Sequence, residues 1–276
     1  MDKSPQIKQI NASGLVLLGC GKMGSAMLQG WLDAGVLPAS VSVIDPYPSK
    51  WLNGLVDHGL SLNKKLPSNP AVCILAVKPQ MMGDATPQVV ALGGGETVFV
   101  SIAAGTTLAA LESFVGAGSR VVRAMPNTPA AIGRGITALI PNSHCSAGNL
   151  GMAQELLQAV GQTVILEEEA QMDAVTAVSG SGPAYVFHLI EALAQAGAAQ
   201  GLPEELAMQL AKATVGGAGQ LAEDSHDSPS QLRINVTSPN GTTAAALDVL
   251  MSEEDGLRPL LSRTVAAARK RSEELG

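Results

Sequence analysis

Three glycines at fixed spacing, Gly19, Gly21 and Gly24, follow the apolar run Leu15-Val16-Leu17-Leu18 and lead straight into an amphipathic pattern from Met23 to Ala34. In a strand, turn and helix of this order each glycine has its own task. Gly19 permits the tight turn, Gly21 lets a pyrophosphate approach the backbone, and Gly24 lets the helix pack closely on the strand. The helix start supplies free N–H groups and partial positive charge to the same pyrophosphate. Cys20, Lys22 and Met23 fill the rest of the turn. The chemistry implied is the binding of NAD or NADP; a glycine-rich turn by itself also serves packing. Further on, Asp45 stands where an acidic group bonds the adenosine ribose hydroxyls. Read alone it favours NAD, because a carboxylate repels a 2′-phosphate. Ser49 and Lys50 behind it offer a phosphate site instead, and an Asp before Pro46 is also a plain turn residue. The choice of dinucleotide stays open.

Other loops carry weaker signals. Lys78-Pro79 follows the apolar run Val72–Val77, and Ala103-Ala104-Gly105 follows Ser101-Ile102. Small residues and a proline at strand ends allow a flat nicotinamide ribose to lie close, and equally punctuate ordinary turns. In Arg123-Ala124-Met125-Pro126-Asn127-Thr128-Pro129 two prolines stiffen the loop that presents Asn127. Later, Ser179-Gly180-Ser181-Gly182-Pro183 and Thr237-Ser238-Pro239-Asn240-Gly241-Thr242-Thr243 each gather hydroxyls at a helix start. Free N–H groups and hydroxyls there form a nest for a small carboxylate; capping by Thr uses the same groups. The four histidines, His58, His144, His188 and His226, show no metal spacing, and no nucleophile elbow is present. His188, inside a helix pattern, reads as a core or interface residue.

These residues need a scaffold, and the pattern of the chain supplies one. Strands are expected at Leu15–Leu18, Val41–Ile44, Val72–Val77, Thr97–Ile102, Arg120–Met125, Ile136–Ile140 and Thr163–Leu166, with helices between several of them. Short strands apolar on both faces, alternating with helices, indicate a parallel sheet covered on both sides. After Glu167-Glu168-Glu169 strand signals stop and long helical periods take over. The fold expected is α/β: an N-terminal Rossmann-type doubly wound parallel sheet over residues 13–168, then an all-helical domain over 169–276, preceded by a flexible leader at 1–12. The helices are rich in Ala, so part of their apolar surface is expected to pair with a second subunit; a self-contained bundle is the alternative.

Composition narrows the class. The 276 residues are 46% apolar and 15% charged, enough for sizeable cores, and the net charge of −7 with scattered Lys and Arg speaks against nucleic acid. Cys20, Cys73 and Cys145 have no metal-type spacing, which suits a reducing compartment. Without an apolar leader or a bilayer-length run, a soluble, cytoplasmic protein with no membrane partner is expected.

The blocks around Gly19–Met23, Leu75-Ala76-Val77-Lys78-Pro79-Gln80, Met125–Pro129, Ser179–Tyr185 and above all Asn235–Thr243 resemble those of pyrroline-5-carboxylate reductase, over nearly the whole chain. The resemblance implies reduction of 1-pyrroline-5-carboxylate to L-proline by hydride from NADPH or NADH, the last step of proline biosynthesis, with a helical dimerisation domain, a dimer or ring of dimers, and active sites at the subunit interface. Hydride addition to a protonated imine needs neither metal nor covalent nucleophile. By this resemblance the substrate carboxylate rests on Gly241, Thr242 and Thr243 with Ser238 beside it, and Thr243 stands near the ring nitrogen as proton donor or as a positioning group. Glu169 matches an acidic position near that nitrogen. Asn63 and Asn235 match cofactor-side asparagines. They join Gly19–Gly24, Asp45, Ala76, Val77, Lys78, Pro79, Ala103, Ala104 and Gly105 in the cofactor set. Two departures stand out: Asn240-Gly241 replaces Gly-Gly, which Asn tolerates in a left-handed backbone, and Asp45-Pro46 replaces a pair suited to NADP. The rivals are a hydroxy-acid dehydrogenase, whose catalytic lysine on a long helix of the second domain would here be Lys212, without that family's motif; another imine reductase; and a nucleotide-sensing protein without turnover.

Overall fold

The structure, a computed structural model, describes residues 4–275. The chain forms two compact units, one running to Gly180 and resuming at Arg269, the other spanning Ser181–Ala268.

The first unit is built on eight strands: β1 (Leu15–Leu18), β2 (Val41–Ile44), β3 (Ser61–Leu62), β4 (Val72–Leu75), β5 (Val98–Ser101), β6 (Arg120–Met125), β7 (Gly135–Pro141) and β8 (Gly161–Ile165). They form one sheet in the order β3-β2-β1-β4-β5-β6-β7-β8. Side chains alternate across the central strands. Leu15 and Leu17 enter the core on one face with Met27, Leu28 and Trp31, whereas Val16 and Leu18 enter the core on the other with Phe99 and Leu111. Burial on both faces is why these strands read as unbroken apolar runs. The helices on the faces are α1 (Pro5–Ser13), α2 (Lys22–Asp33), α3 (Lys50–Val56), α4 (Met82–Ala85), α5 (Leu108–Val115), α6 (Ala147–Gln158) and α7 (Gln171–Val175). The indole Nε1–H of Trp31 donates to the Leu156 carbonyl at 2.8 Å and ties α2 to α6.

Two expectations need correction here. The sheet is not wholly parallel: β6 and β7 pair antiparallel, while β7 and β8 are parallel again. The connection from β6 to β7 holds only a 3-10 turn, Thr128–Ile132, too short to return the chain to the starting end of the sheet. The leader is not flexible over its described part. Ser4 caps α1 by accepting the Ile7 N–H at 3.1 Å, Pro5 starts the helix, and Ile7 and Ile10 are buried; residues 1–3 lie outside the described residues.

The second unit is helical: α8 (Gly182–Ala199), α9 (Glu204–Asp224), α10 (Pro229–Asn235), α11 (Thr242–Leu250) and most of α12 (Leu257–Glu273). A π turn at Thr176–Gly180 precedes it. α8 and α9 pack on each other across a short connection. Its buried apolar side chains are alanines, Ala194, Ala207 and Ala211, whereas Phe187 is 58% and Val249 73% exposed. Among the described residues no helix is long and apolar enough to cross a membrane.

Candidate active site

The carboxyl ends of β1, β2, β4 and β5 bring the expected cofactor residues of the first unit to one edge of the sheet. The turn after β1 is held by the Gly19 N–H, which donates to the Ile44 carbonyl at 2.8 Å. Gly19 has φ +90°, and a Cβ there would stand 2.9 Å from both the Ala76 carbonyl oxygen and the Val77 Cγ1, so only glycine fits. A Cβ on Gly24 would lie 2.5 Å from the Gly19 carbonyl oxygen. Gly21 is the opposite case: exposed, and with nothing within 4 Å of a Cβ. It is also the N-cap of α2, and no side chain caps that helix. The first N–H groups of α2 therefore face an open approach, which fits a dinucleotide pyrophosphate.

The neighbouring loops close on this turn. Ala76 and Val77 leave β4 against Gly19, and Lys78 leads into a 3-10 turn that starts at Pro79. Ala103, Ala104 and Gly105 follow β5; Gly105 has φ +74° and a Cβ there would meet Leu275 at 3.1 Å. Asp45 is buried, 8% exposed, and its carboxylate is turned to the backbone. Oδ2 accepts the Cys20 N–H and Oδ1 the Tyr47 N–H, each at 2.7 Å. Asn63, at φ +51°, completes the corner: its Oδ1 accepts the Asp45 N–H at 2.9 Å and its Nδ2 donates to the Asp45 carbonyl at 2.7 Å. Burial, and secondarily the Asp45 charge, push the Cys20 thiol up to about 12. Ser49 accepts the Leu52 N–H as N-cap of α3.

Glu169 belongs to this unit as well. Its Oε1 accepts from the Arg123 guanidinium and from the Leu108 N–H at the start of α5, both at 2.7 Å. Arg123 is 4% exposed, so the pair joins β6, α5 and the segment before α7. Asn127, flagged by its two prolines, holds a loop: its Oδ1 accepts the Ile136 N–H at 2.9 Å. Arg123 had no periodic or motif signal of its own; an ionic side chain inside an otherwise apolar strand was the available clue.

The remaining expected residues lie in the helical unit. Asn240 adopts φ +58°, the left-handed turn expected where a glycine is more usual. Gly241 then serves as N-cap of α11 without a side-chain cap, and the Gly241 N–H donates to the Ser238 carbonyl at 3.1 Å. Thr242 and Thr243 thus open α11 with free N–H groups, Ser238 beside them, while the Thr237 hydroxyl donates to the Arg233 carbonyl at 2.6 Å. Capping by Thr is not how this helix begins. Asn235 is engaged within the unit, with its Nδ2 donating to Asp227 at 3.2 Å and its Oδ1 accepting from Gln231 at 2.8 Å. His188 is not a core residue: its side chain is 83% exposed and pairs with Glu191. Lys212 is exposed on α9. Among the described residues no group of three His, Cys, Asp or Glu side chains is placed to hold a metal ion.

Taken together, a Rossmann-like sheet with an open glycine turn, followed by a helical unit, defines a dinucleotide-dependent oxidoreductase of the two-domain kind. Comparison with known proteins refines this. The family model "Pyrroline-5-carboxylate reductase dimerisation" matches residues 169–275, and "NADP oxidoreductase coenzyme F420-dependent" matches residues 15–105. The pyrroline-5-carboxylate reductase of Pseudomonas aeruginosa is 39% identical over 264 residues, covering 95% of this chain and 96% of that protein. The solved pyrroline-5-carboxylate reductase of Coxiella burnetii superposes with a TM-score of 0.88 at 33% identity, covering 96% of this chain and 98% of that one. The pyrroline carboxylate reductase of Plasmodium falciparum, solved with NADP bound, gives 0.80 at 27% identity, with 96% of this chain and 99% of that one covered. The chain belongs to the pyrroline-5-carboxylate reductase family.

Proposed function

We infer that the chain reduces 1-pyrroline-5-carboxylate to L-proline with NADPH or NADH. The observation that carries this, given the family, is the uncapped start of α11 behind the left-handed Asn240, a seat for a small carboxylate. When bound, the reduced dinucleotide supplies a hydride to the C=N carbon, and one proton at nitrogen completes the amine. The residues of the chain bind and orient. The β1–α2 turn and the first N–H groups of α2 hold the pyrophosphate, with Ala76–Pro79 and Ala103–Gly105 flanking the nicotinamide end. Thr242 and Thr243 N–H groups and the Ser238 hydroxyl hold the substrate carboxylate. The Thr243 hydroxyl is a poor acid and acts by orienting the ring nitrogen of an imine that arrives protonated.

Self-association supports the same reading, since the helical unit matches a dimerisation model and leaves large apolar side chains exposed. We assign a dimer, or a ring of dimers, in the cytoplasm. The test is a kinetic comparison of the purified protein with its Thr243→Ala variant, following dinucleotide oxidation and proline formation. Turnover by the parent is expected. The variant should lose roughly tenfold to a hundredfold in kcat/KM, the scale of one hydrogen bond to a charged group, at unchanged dinucleotide affinity. Unchanged kinetics would remove Thr243 from the site.

A further inference from the structure

The loop after β5, Ala103–Gly105, has few means of holding itself in place. It carries no side chain larger than a methyl group, and its third residue sits at φ +74°, a conformation open to glycine at the cost of any packing of its own. Other side chains fix its two ends. The Ser101 hydroxyl accepts the Ala103 N–H at 3.3 Å, and Glu169 accepts the Leu108 N–H at 2.7 Å. Between those points the loop leans on a residue from far along the chain. Gly105 is buried, and a Cβ built on it would lie 3.1 Å from the Leu275 Cβ and 3.5 Å from the Leu275 carbonyl carbon and oxygen. Leu275 is placed there by an anchor of its own. From Arg269 onward the chain belongs to the same compact unit as the sheet. In this stretch Arg269 pairs with Glu273 and Arg271 with Glu274, all in solvent, whereas Ser272 is only 4% exposed. The Ser272 hydroxyl donates to Asp173 Oδ1 on α7 at 2.6 Å, and the Leu275 N–H donates to the Ser272 carbonyl at 3.1 Å. One hydroxyl thus ties down the turn that carries Leu275.

We propose that Ser272 and Leu275 are positioning residues of the reduction: anchored through Ser272 on Asp173, the end of α12 holds Gly105, and with it the loop that flanks the nicotinamide. The proposal rests on the dinucleotide reading above. A loop of alanine and glycine has no side chain with which to correct its own placement, and a misplacement of about 1 Å costs up to a hundredfold in rate. The pyrophosphate contacts lie on the glycine turn, so the affinity they give does not pass through this anchor.

The test compares the purified full chain with Ser272→Ala, Leu275→Gly and the double variant. Each single change should lower kcat by roughly tenfold, while the NADPH dissociation constant, titrated by fluorescence, stays near that of the parent. The isotope effect on kcat with NADPH deuterated at nicotinamide C4 should rise, because hydride transfer becomes the slow step. In protein free of dinucleotide, amide exchange followed by mass spectrometry should quicken over residues 103–107 and stay unchanged over 19–24. The double variant should lose no more than the worse single one, since both changes release the same segment. A parent-like kcat in both single variants overturns the proposal. So does exchange that quickens evenly over the whole sheet unit with loss of NADPH affinity, the mark of general destabilisation, and so do losses that simply add. If loop exchange quickens in the variants but the parent forms no proline from 1-pyrroline-5-carboxylate, the anchoring of the loop stands and the assigned reaction fails.

Discussion

Gly21 and Gly24 belong to one motif, yet the structure separates what each does, and alanine substitutions should fail in different ways. Gly24→Ala places a Cβ 2.5 Å from the Gly19 carbonyl oxygen and 3.3 Å from its carbon, both backbone atoms that cannot swing away. Relieving that overlap means prising α2 from the end of β1, at about 1–3 kcal/mol, the range for overpacking a closed interior. Gly21→Ala meets nothing within 4 Å, and Gly21 has φ −71°, a value alanine adopts freely. Its stability should hold or rise by about 0.5 kcal/mol through loss of unfolded-state entropy. The added methyl instead occupies the approach to the first N–H groups of α2. Losing one charge-assisted hydrogen bond to the pyrophosphate weakens binding by about 1.5–3 kcal/mol, roughly tenfold or more. The assay pairs urea unfolding, at one fixed protein concentration, with dinucleotide titration by fluorescence. Gly24→Ala should lower the unfolding midpoint and Gly21→Ala should not, while Gly21→Ala loses affinity. Equal destabilisation by both, or a Gly21→Ala variant that binds the dinucleotide like the parent, would refute the division of roles.

Four further outcomes follow from particular residues. Glu169→Ala leaves the buried Arg123 without its acid and should destabilise by about 2 kcal/mol, less than a fully buried pair because Glu169 is 32% exposed. Adding Arg123→Met should recover part of that loss in urea unfolding, and strict additivity of the two changes would show that the pair is not coupled. The Cys20 thiol, raised from 9.0 to about 12 by burial and by Asp45, stays protonated through neutral pH. Its contribution to stability is complete below about pH 9 and is lost as pH rises towards 12, so alkaline unfolding should move upward in a Cys20→Ala variant. A thiol count at pH 8 should find Cys20 and Cys73, both buried, reacting only after unfolding. Lys212→Ala, at an exposed site on α9, should keep its activity; near-total loss with the fold intact would point to hydroxy-acid chemistry.

Much of the scaffold was legible because local pattern and tertiary role agree. β1, β2 and β6 begin and end where they are expected, because Gly14, Asp45-Pro46 and Pro126 stand at their ends as breakers. Asn240 was readable as a left-handed residue because a turn of this kind admits few side chains, and its φ of +58° follows. The antiparallel β7 was missed although a clue was present, in a proline-stiffened connection with no helical stretch. α1 was missed because Ile7 and Ile10 alone carry its buried face, too little to make a period. Asp45 shows the deeper limit. Its position and its local turn bond to the Tyr47 N–H lie within a short window, but its other oxygen is taken by the Cys20 N–H, brought alongside by the pairing of β1 with β2, which no local window contains. The same holds for Glu169, whose partners Leu108 and Arg123 are distant in the chain.

The function rests on one step, hydride addition to the imine carbon of 1-pyrroline-5-carboxylate. Its most direct test is turnover with NADPH deuterated at nicotinamide C4, on the transferred face, with the product examined by NMR. One deuterium per proline is expected, on the ring methylene next to nitrogen and away from the carboxylate, in step with dinucleotide oxidation. Dinucleotide that binds without forming proline, or proline that carries no label at that carbon when the transferred hydrogen was deuterium, would contradict it.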